Sequence, residues 1–300
     1  MLRTVKAVVV NVYDDINKNH TLAFAASLSY YFVLSLFPAL VALAAVVGYL
    51  PIPDLWGKTL DLFSHFVPPD GMGLVRTVLS DVITPNKGKL LSFGLLGTIW
   101  ASSSGFAAMI EALNVAYDVP ETRPYWKTRL LAIGLTFAIG TIMVLAVVVM
   151  ILGPDFGAWV ARHAHVTWTF AKVWPVLRWA TTIAFIIAAI EGLYFLGPNV
   201  KQKFYCSLPG ACLAVGGWIG LSYLLGIYFQ KFANFNKTYG TLGAAIALMV
   251  WFYWTGFMIL LGGEVNSELL QISGQGRLAL KEPPPTTVTP KRATEADLAA

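Results

Sequence analysis

Apolar residues gather into six long runs separated by polar stretches, near residues 22–50, 90–117, 130–153, 174–196, 206–229 and 242–270. An apolar run of about 20 residues makes a helix that crosses a hydrocarbon core of roughly 30 Å. The pattern therefore predicts an all-α polytopic membrane protein with six transmembrane helices. The first run is too long for a signal peptide, and no small-residue cleavage site closes it before Pro51.

Between the first two runs, residues 51–89 are too many for a tight turn. "DLWGKTLDLFSHF" places Leu55, Trp56, Leu60, Phe63 and Phe66 mostly on one side of a helix, and "GMGLVRTVLSDVI" does the same with Met72, Val75, Val78, Leu79 and Val82. Two short amphipathic helices are expected in this first outer loop, capping the bundle or lying in the interface. The end of the chain, "KEPPPTTVTPKRATEADLAA", is polar and proline-rich. Residues 1–271 thus read as one six-helix transmembrane domain and 272–300 as a disordered cytoplasmic tail.

Composition sharpens the class. Hydrophobic residues make up 57% of the chain and charged residues 12%, against about 25% charged in soluble domains. The net charge of +5 belongs to cytoplasmic Lys and Arg rather than to a nucleic-acid surface. Arg3, Lys6 and Lys18, then Arg123, Lys127 and Arg129, then Lys201 and Lys203, then the tail all fall on one side of a six-span topology. By the positive-inside rule that side is cytoplasmic, and it holds both termini. Cys206 and Cys212 are six residues apart, on different helix faces, so neither a local disulfide nor a metal pair is expected.

Candidate chemistry is sparse. Span one carries Ser27, Tyr30, Tyr31 and Ser35 before Pro38, read either as a kink lining a cavity or as a packing kink with hydroxyls bonded to their own backbone. Gly210 with Ala214, Gly216 with Gly220, and Gly97, Ala101 and Gly105 form small-xxx-small pairs, read as close helix packing. His163 and His165 read as solvated. A metal-dependent nuclease needs a dense ligand cluster, and no phosphate loop or nucleophile elbow is found. No metal, no cofactor and no catalytic residue is expected.

The acids are the exception. "WASSSGFAAMIEALNVAYDV" begins as an apolar helix and then carries Glu111 and Asn114. Spans two, four and six run in one direction, and each has an acid near its inner end: Glu111, Glu191, and Glu264 with Glu268. Asn114 and Asn266 stand close by. Acids at a helix C-terminus are electrostatically disfavoured, so helix stability does not account for them. Facing spans begin with Arg123, Lys127, Arg129, Lys201 and Lys203. A ring of acids meeting a ring of bases is expected, with Glu111 neutralised by a base such as Arg129. Two readings stay open: a structural clasp, or a polar cavity handling a charged solute, a proton or a lipid headgroup.

Three stretches, "ASLSYYFVLSLFPAL", "IEALNVAYDVPETRPYWKTRL" and "YGTLGAAIALMVWFYWTGFMILLGGEVNSEL", in this order and spacing, resemble the YihY/BrkB family of bacterial inner-membrane proteins. The resemblance covers residues 5–271, and Tyr30, Tyr31, Pro38, Glu111, Asn114, Tyr117, Arg129, Tyr239, Gly240, Trp251, Gly263, Glu264 and Asn266 match its motifs. It implies a multi-pass inner-membrane protein linked to serum resistance and virulence. Some members carry an old label as ribonuclease BN, and others are tied to lipopolysaccharide or lipid export. The expected role is transport or flipping of an anionic or amphipathic solute or lipid, with the bilayer as partner and no nucleic acid. The alternatives are a non-transporting envelope scaffold and, more remotely, a membrane ribonuclease. Oligomeric state, solute and coupling ion stay open.

Overall fold

The computed structural model describes residues 2–49, 55–64, 67, 72–73, 76, 90–164, 168–231 and 241–272. The helices are α1 (Leu2–Lys18), α2 (Thr21–Tyr49), α3 (Leu55–Ser64), α4 (Leu90–Ala116), α5 (Tyr125–Ala164), α6 (Trp168–Leu196), α7 (Leu208–Lys231) and α8 (Thr241–Ile272), with a 3₁₀ turn at Phe204–Cys206. Among the described residues there is no strand. Among the described residues, four stretches are long and apolar enough to cross a membrane: Tyr125–Val160, Val173–Leu196, Leu208–Phe229 and Ala245–Ile272. The first two predicted spans fold as α2 and α4, of 29 and 27 residues. The side chains of 37–49, Pro38 included, and of 90–98 lie outside the described residues, as does the predicted tail from 273 onward.

Each long helix packs on the next, α2 on α4, α4 on α5, and so on to α7 on α8. α8 then returns to α2 and closes the ring, and it also meets α4 across it. One core joins all six through Leu28, Ile110, Leu113, Leu135, Tyr194, Ala211 and Leu260. Between α2 and α4 only α3 lies wholly within the described residues. Its Leu60 packs with Val67, Met72, Leu248 and Trp251, and its Lys58 reaches Asp155 of α5 at 2.7 Å, the contacts of a cap on the bundle. Most of the second expected loop helix lies outside the described residues.

Close approach of α7 to α8 depends on glycine. A Cβ at Gly210 would meet the Gly262 carbonyl oxygen at 2.1 Å and the Asn266 amide at 2.4 Å. Gly217, two turns on, faces Met258 at 2.8 Å. The seam thus runs through Gly210, Ala214 and Gly217. The expected pairing of Gly216 with Gly220 is not part of it: both face open space. The helical repeat explains the difference, since Gly210 and Gly217 are two turns apart on one face and Gly216 lies about 100° away. Gly105 touches Tyr31 of α2 at 3.7 Å.

α5 runs 40 residues, well beyond its predicted span, with Pro154 inside it. Proline removes the hydrogen bond that would reach the carbonyl four residues back, which is Met150. Arg178 of α6 donates a long bond to that oxygen at 3.4 Å, and Trp174 donates to the Gly153 carbonyl at 2.6 Å. The neighbouring helix thereby satisfies the backbone that proline leaves open.

α1 packs along the end of α8 and stops before His20, whose φ of 51° turns the chain into α2. Asp118 ends α4 in the same left-handed conformation, which short polar residues and histidine adopt more readily than most. Lys18 and Asp118 join the two turns at 3.0 Å.

Candidate functional site

The polar residues of the bundle concentrate at the end where α4, α6 and α8 finish and α5 and α7 begin. Two proline-bounded connections, "VPETRP" and "GPNVKQK", are locked together there. The Asn114 side-chain oxygen accepts from the Asn199 backbone N–H at 2.8 Å, and its amide donates to Glu121 at 2.8 Å. Glu121 accepts two side-chain bonds from Arg123, at 2.8 and 2.6 Å, and Arg123 also donates to the Gly197 carbonyl at 2.9 Å. Burial alone would raise the Glu121 carboxyl, but the bonds from Arg123 outweigh it and hold the group below the usual carboxylate range.

Beneath these loops sit three buried acids, Glu191, Glu264 and Glu268. Glu191 is 1% exposed and meets the Ser207 hydroxyl at 2.5 Å. Glu264 is fully buried. It accepts from Thr21 at 2.9 Å and from the Asn19 amide at 3.2 and 3.3 Å to its two oxygens. One turn on, Glu268 accepts from Asn11 at 3.0 Å and lies against Asp15. Burial, then the charges of Glu268 and Asp118, push the Asp15 carboxyl above its usual range, and Lys18 opposes them. The Lys18 ammonium is raised by its bond to Asp118.

No ion pair among the described residues joins Glu111, Glu191, Glu264 or Glu268 to a base. Arg123 takes Glu121, an acid of its own loop. Lys127 lies over Trp126 at 5.6 Å, and Lys203 over Tyr205 at 5.8 Å. Arg129 stacks 3.8 Å over the Trp100 ring and donates to the Trp100 carbonyl and to Ser104. Its partners on α4 thus lie about two and three helical turns from Glu111. Glu111 itself is exposed and among the described residues pairs with no base. Its helical position decides this: Ile110, Ala112, Leu113 and Asn114 fill the inner arc of α4 and turn Glu111 outward.

In span one, Ser27 and Tyr30 are exposed and Tyr31 is half-buried, its ring edge-on to Tyr30 at 5.6 Å. Ser35 bonds its own backbone at Phe32. Ser27, Tyr30 and Glu111 on the outside and Glu264 within do not line one enclosed cavity. His163 bonds the Trp159 carbonyl at 2.9 Å, and His165 lies outside the described residues.

Sequence reasoning found Asn114, Glu191, Glu264, Asn266 and Glu268, and the structure brings all five to this end of the bundle. It missed their partners: Asn11, Asn19, Thr21, Glu121, Asn199 and Ser207. Asn11, Asn19 and Thr21, from α1, the α1–α2 turn and the start of α2, gave no signal. For Glu121 and Asn199 the available signal was a polar side chain in a connection that carries Pro120 and Pro124 or Pro198. Such loops fix their backbone and spend their side chains on hydrogen bonds.

These features define a multi-pass, all-helical membrane protein whose buried polar residues gather at one end. The family model for virulence factor BrkB matches residues 12–285, and the chain belongs to that family. It is 35% identical over 245 residues to the ribonuclease-like protein YfkH of Bacillus subtilis, covering 82% of this chain and 88% of the relative. It is 28% identical over 268 residues to a UPF0761 membrane protein of Vibrio campbellii, covering 86% and 78%. It is also 26% identical to the UPF0761 membrane protein Smlt0865 of Stenotrophomonas maltophilia, covering 82% of this chain but only 56% of that longer relative. No solved structure matches the chain.

Proposed function

We propose that this chain is a six-span inner-membrane protein with both termini in the cytoplasm, and that it moves an anionic or amphipathic solute or a lipid across the bilayer. One observation carries the reading. Glu191 and Glu264 are buried inside apolar helices and, among the described residues, are hydrogen-bonded only by neutral groups. A structural clasp would match a buried carboxylate with a base, because an isolated buried charge is costly. Acids kept at membrane depth without that compensation are candidates for handling protons or solute. Energy would come from an ion gradient, a partner or the solute's own gradient, since the sequence carries no ATPase motif.

A second reading, a scaffold that organises envelope enzymes, draws on the exposure of Ser27, Tyr30 and Glu111. Side chains spread over the outside offer contacts to partners rather than walls to an enclosed path. We do not carry over the ribonuclease in the name of the Bacillus relative. Among the described residues no three His, Cys, Asp or Glu side chains stand close enough to hold a metal ion, and metal-assisted hydrolysis depends on such a cluster.

Glu264→Gln separates the first two. The amide keeps the size of the acid and can still meet Thr21. Transport requires that the variant hold the wild-type melting temperature and lose export in cells, followed by profiling of envelope lipids and metabolites. Unchanged export with unchanged stability would leave the scaffold reading in possession.

A further inference from the structure

Among the described residues, Glu191 Oε2, Gln202 Oε1 and Tyr117 Oη are buried at this end of the bundle without a hydrogen-bond partner. They belong to one neighbourhood. Tyr117 is 0% exposed, and its hydroxyl lies near the side chains of Asn266 and Gln202 without a hydrogen bond to either. Glu191 lies within electrostatic reach of Tyr117 and Tyr194. Gln202 is oriented by its own amide, which donates to the Tyr194 carbonyl at 2.6 Å. Asn266 spends both ends of its side chain on Gly210 and Ser207. The pocket therefore offers two unspent acceptors and one hydroxyl around a carboxyl group. Its titratable neighbours are Tyr117 from the end of α4, Tyr194 from α6 itself and Cys206 beside Ser207. From α8 it meets the neutral Asn266, and among the described residues no base forms an ion pair with it.

Proton counting at Ser207 adds a second observation. Its Oγ lies 2.5 Å from Glu191 Oε1 and 3.2 Å from the Phe204 carbonyl oxygen. A serine hydroxyl carries one proton and cannot donate to both. It either donates to a Glu191 carboxylate across the shorter contact, or serves the carbonyl and accepts the proton of a neutral Glu191. A neutral carboxylic acid supplies that proton and also removes an uncompensated charge from the apolar interior.

We propose that Glu191 is an exchangeable proton site, held as the neutral acid in a pocket formed by Ser207, Tyr117 and Gln202 under the 197–207 connection. On release, the acid O–H bond breaks and its electron pair stays on the carboxylate. The proton passes to solvent at the connection, and the Ser207 hydroxyl turns to donate to the new anion. This deepens the transport reading, for which a buried acid would carry the coupling proton, but its test needs no transport.

The test is infrared spectroscopy of the full chain in detergent, in light and heavy water. At neutral pH a carboxylic-acid carbonyl band should be present and should shift in heavy water, as exchange requires. Glu191→Gln should remove that component while keeping the wild-type melting temperature, and Glu264→Gln should leave the component in place. Persistence of the full band in Glu191→Gln would overturn the proposal. If Glu191→Gln does not fold, Ser207→Ala decides. Loss of its hydrogen bond should move the acid band to higher frequency, and an unmoved band would overturn the proposal. A band assigned to Glu191 alongside export that survives Glu264→Gln would remove the transport reading and leave the proton site. Loss of export without that band would do the reverse.

Discussion

Asn266 of α8 closes the first turn of α7. Its side-chain oxygen accepts from the Gly210 backbone N–H at 2.8 Å, and its amide donates to the Ser207 carbonyl at 2.8 Å. The first N–H groups of a helix have no partner within it, and here a neighbouring helix supplies one instead of a side chain of the cap itself. Reaching Gly210 requires the two backbones to come close, which the missing Cβ atoms of Gly210 and Gly262 permit. The same contact holds Ser207 where it meets Glu191. One asparagine thus links the helix seam to the buried acid.

Gly210→Ala should destabilise the protein by about 1–3 kcal/mol, the usual range for overpacking a close contact. The new methyl group would meet the backbone oxygen of Gly262, which cannot move aside as a flexible side chain would. Gly216→Ala, placed in open space, should stay within about 0.5 kcal/mol of wild type. Thermal melting of the two variants in the same detergent compares them directly. Equal losses would show that the seam does not run through Gly210.

Glu111→Gln should leave stability within about 0.5 kcal/mol of wild type, because Glu111 is exposed and no base depends on it. A clasp would instead predict the loss of several kcal/mol that follows when one partner of a buried pair is removed. Melting curves decide between them, and a large drop would put Glu111 back among the structural acids.

The Glu121 carboxyl sits below its ordinary range in the folded protein, held there by Arg123 against the opposing effect of burial. As pH falls, the unfolded chain takes up the proton first. The stabilisation is therefore present above the ordinary carboxylate pKa and is lost as pH falls through the folded value. Glu121→Gln should lower the melting temperature at neutral pH, and the deficit should shrink in acid. A deficit independent of pH would assign Glu121 a packing role in place of an electrostatic one.

Asp15 carries the opposite sign. Burial and then Glu268 and Asp118 raise its carboxyl in the folded state. As pH rises through the ordinary carboxylate range, the unfolded chain loses its proton first, and the folded state becomes less favoured. Asp15→Asn should melt higher than wild type at neutral pH and close to it in acid. A variant that melts lower at neutral pH would mean that Lys18 outweighs the surrounding acids.

Hydropathy alone fixed the positions and lengths of the apolar runs. A backbone surrounded by lipid must satisfy its own hydrogen bonds, and a helix does so within one segment. Glu191, Glu264 and Asn266 were legible for the same reason, since a polar side chain inside such a run is conspicuous. Tertiary structure decided what each of them meets. Whether Glu111 points inward or outward depends on the rotation of α4 about its axis, and the apolar majority of the helix sets that rotation. Arg129 chose the ring of Trp100 and Arg123 chose Glu121 because each was within reach of a long side chain, a matter of distances that spacing along the chain does not contain. Asn11, Asn19 and Thr21 come from the far end of the sequence and reach Glu264 and Glu268 only because α8 closes the ring against α1 and α2. Contacts between residues some 250 positions apart depend on how helices pack, and packing is settled by the shapes of whole faces rather than by any local pattern.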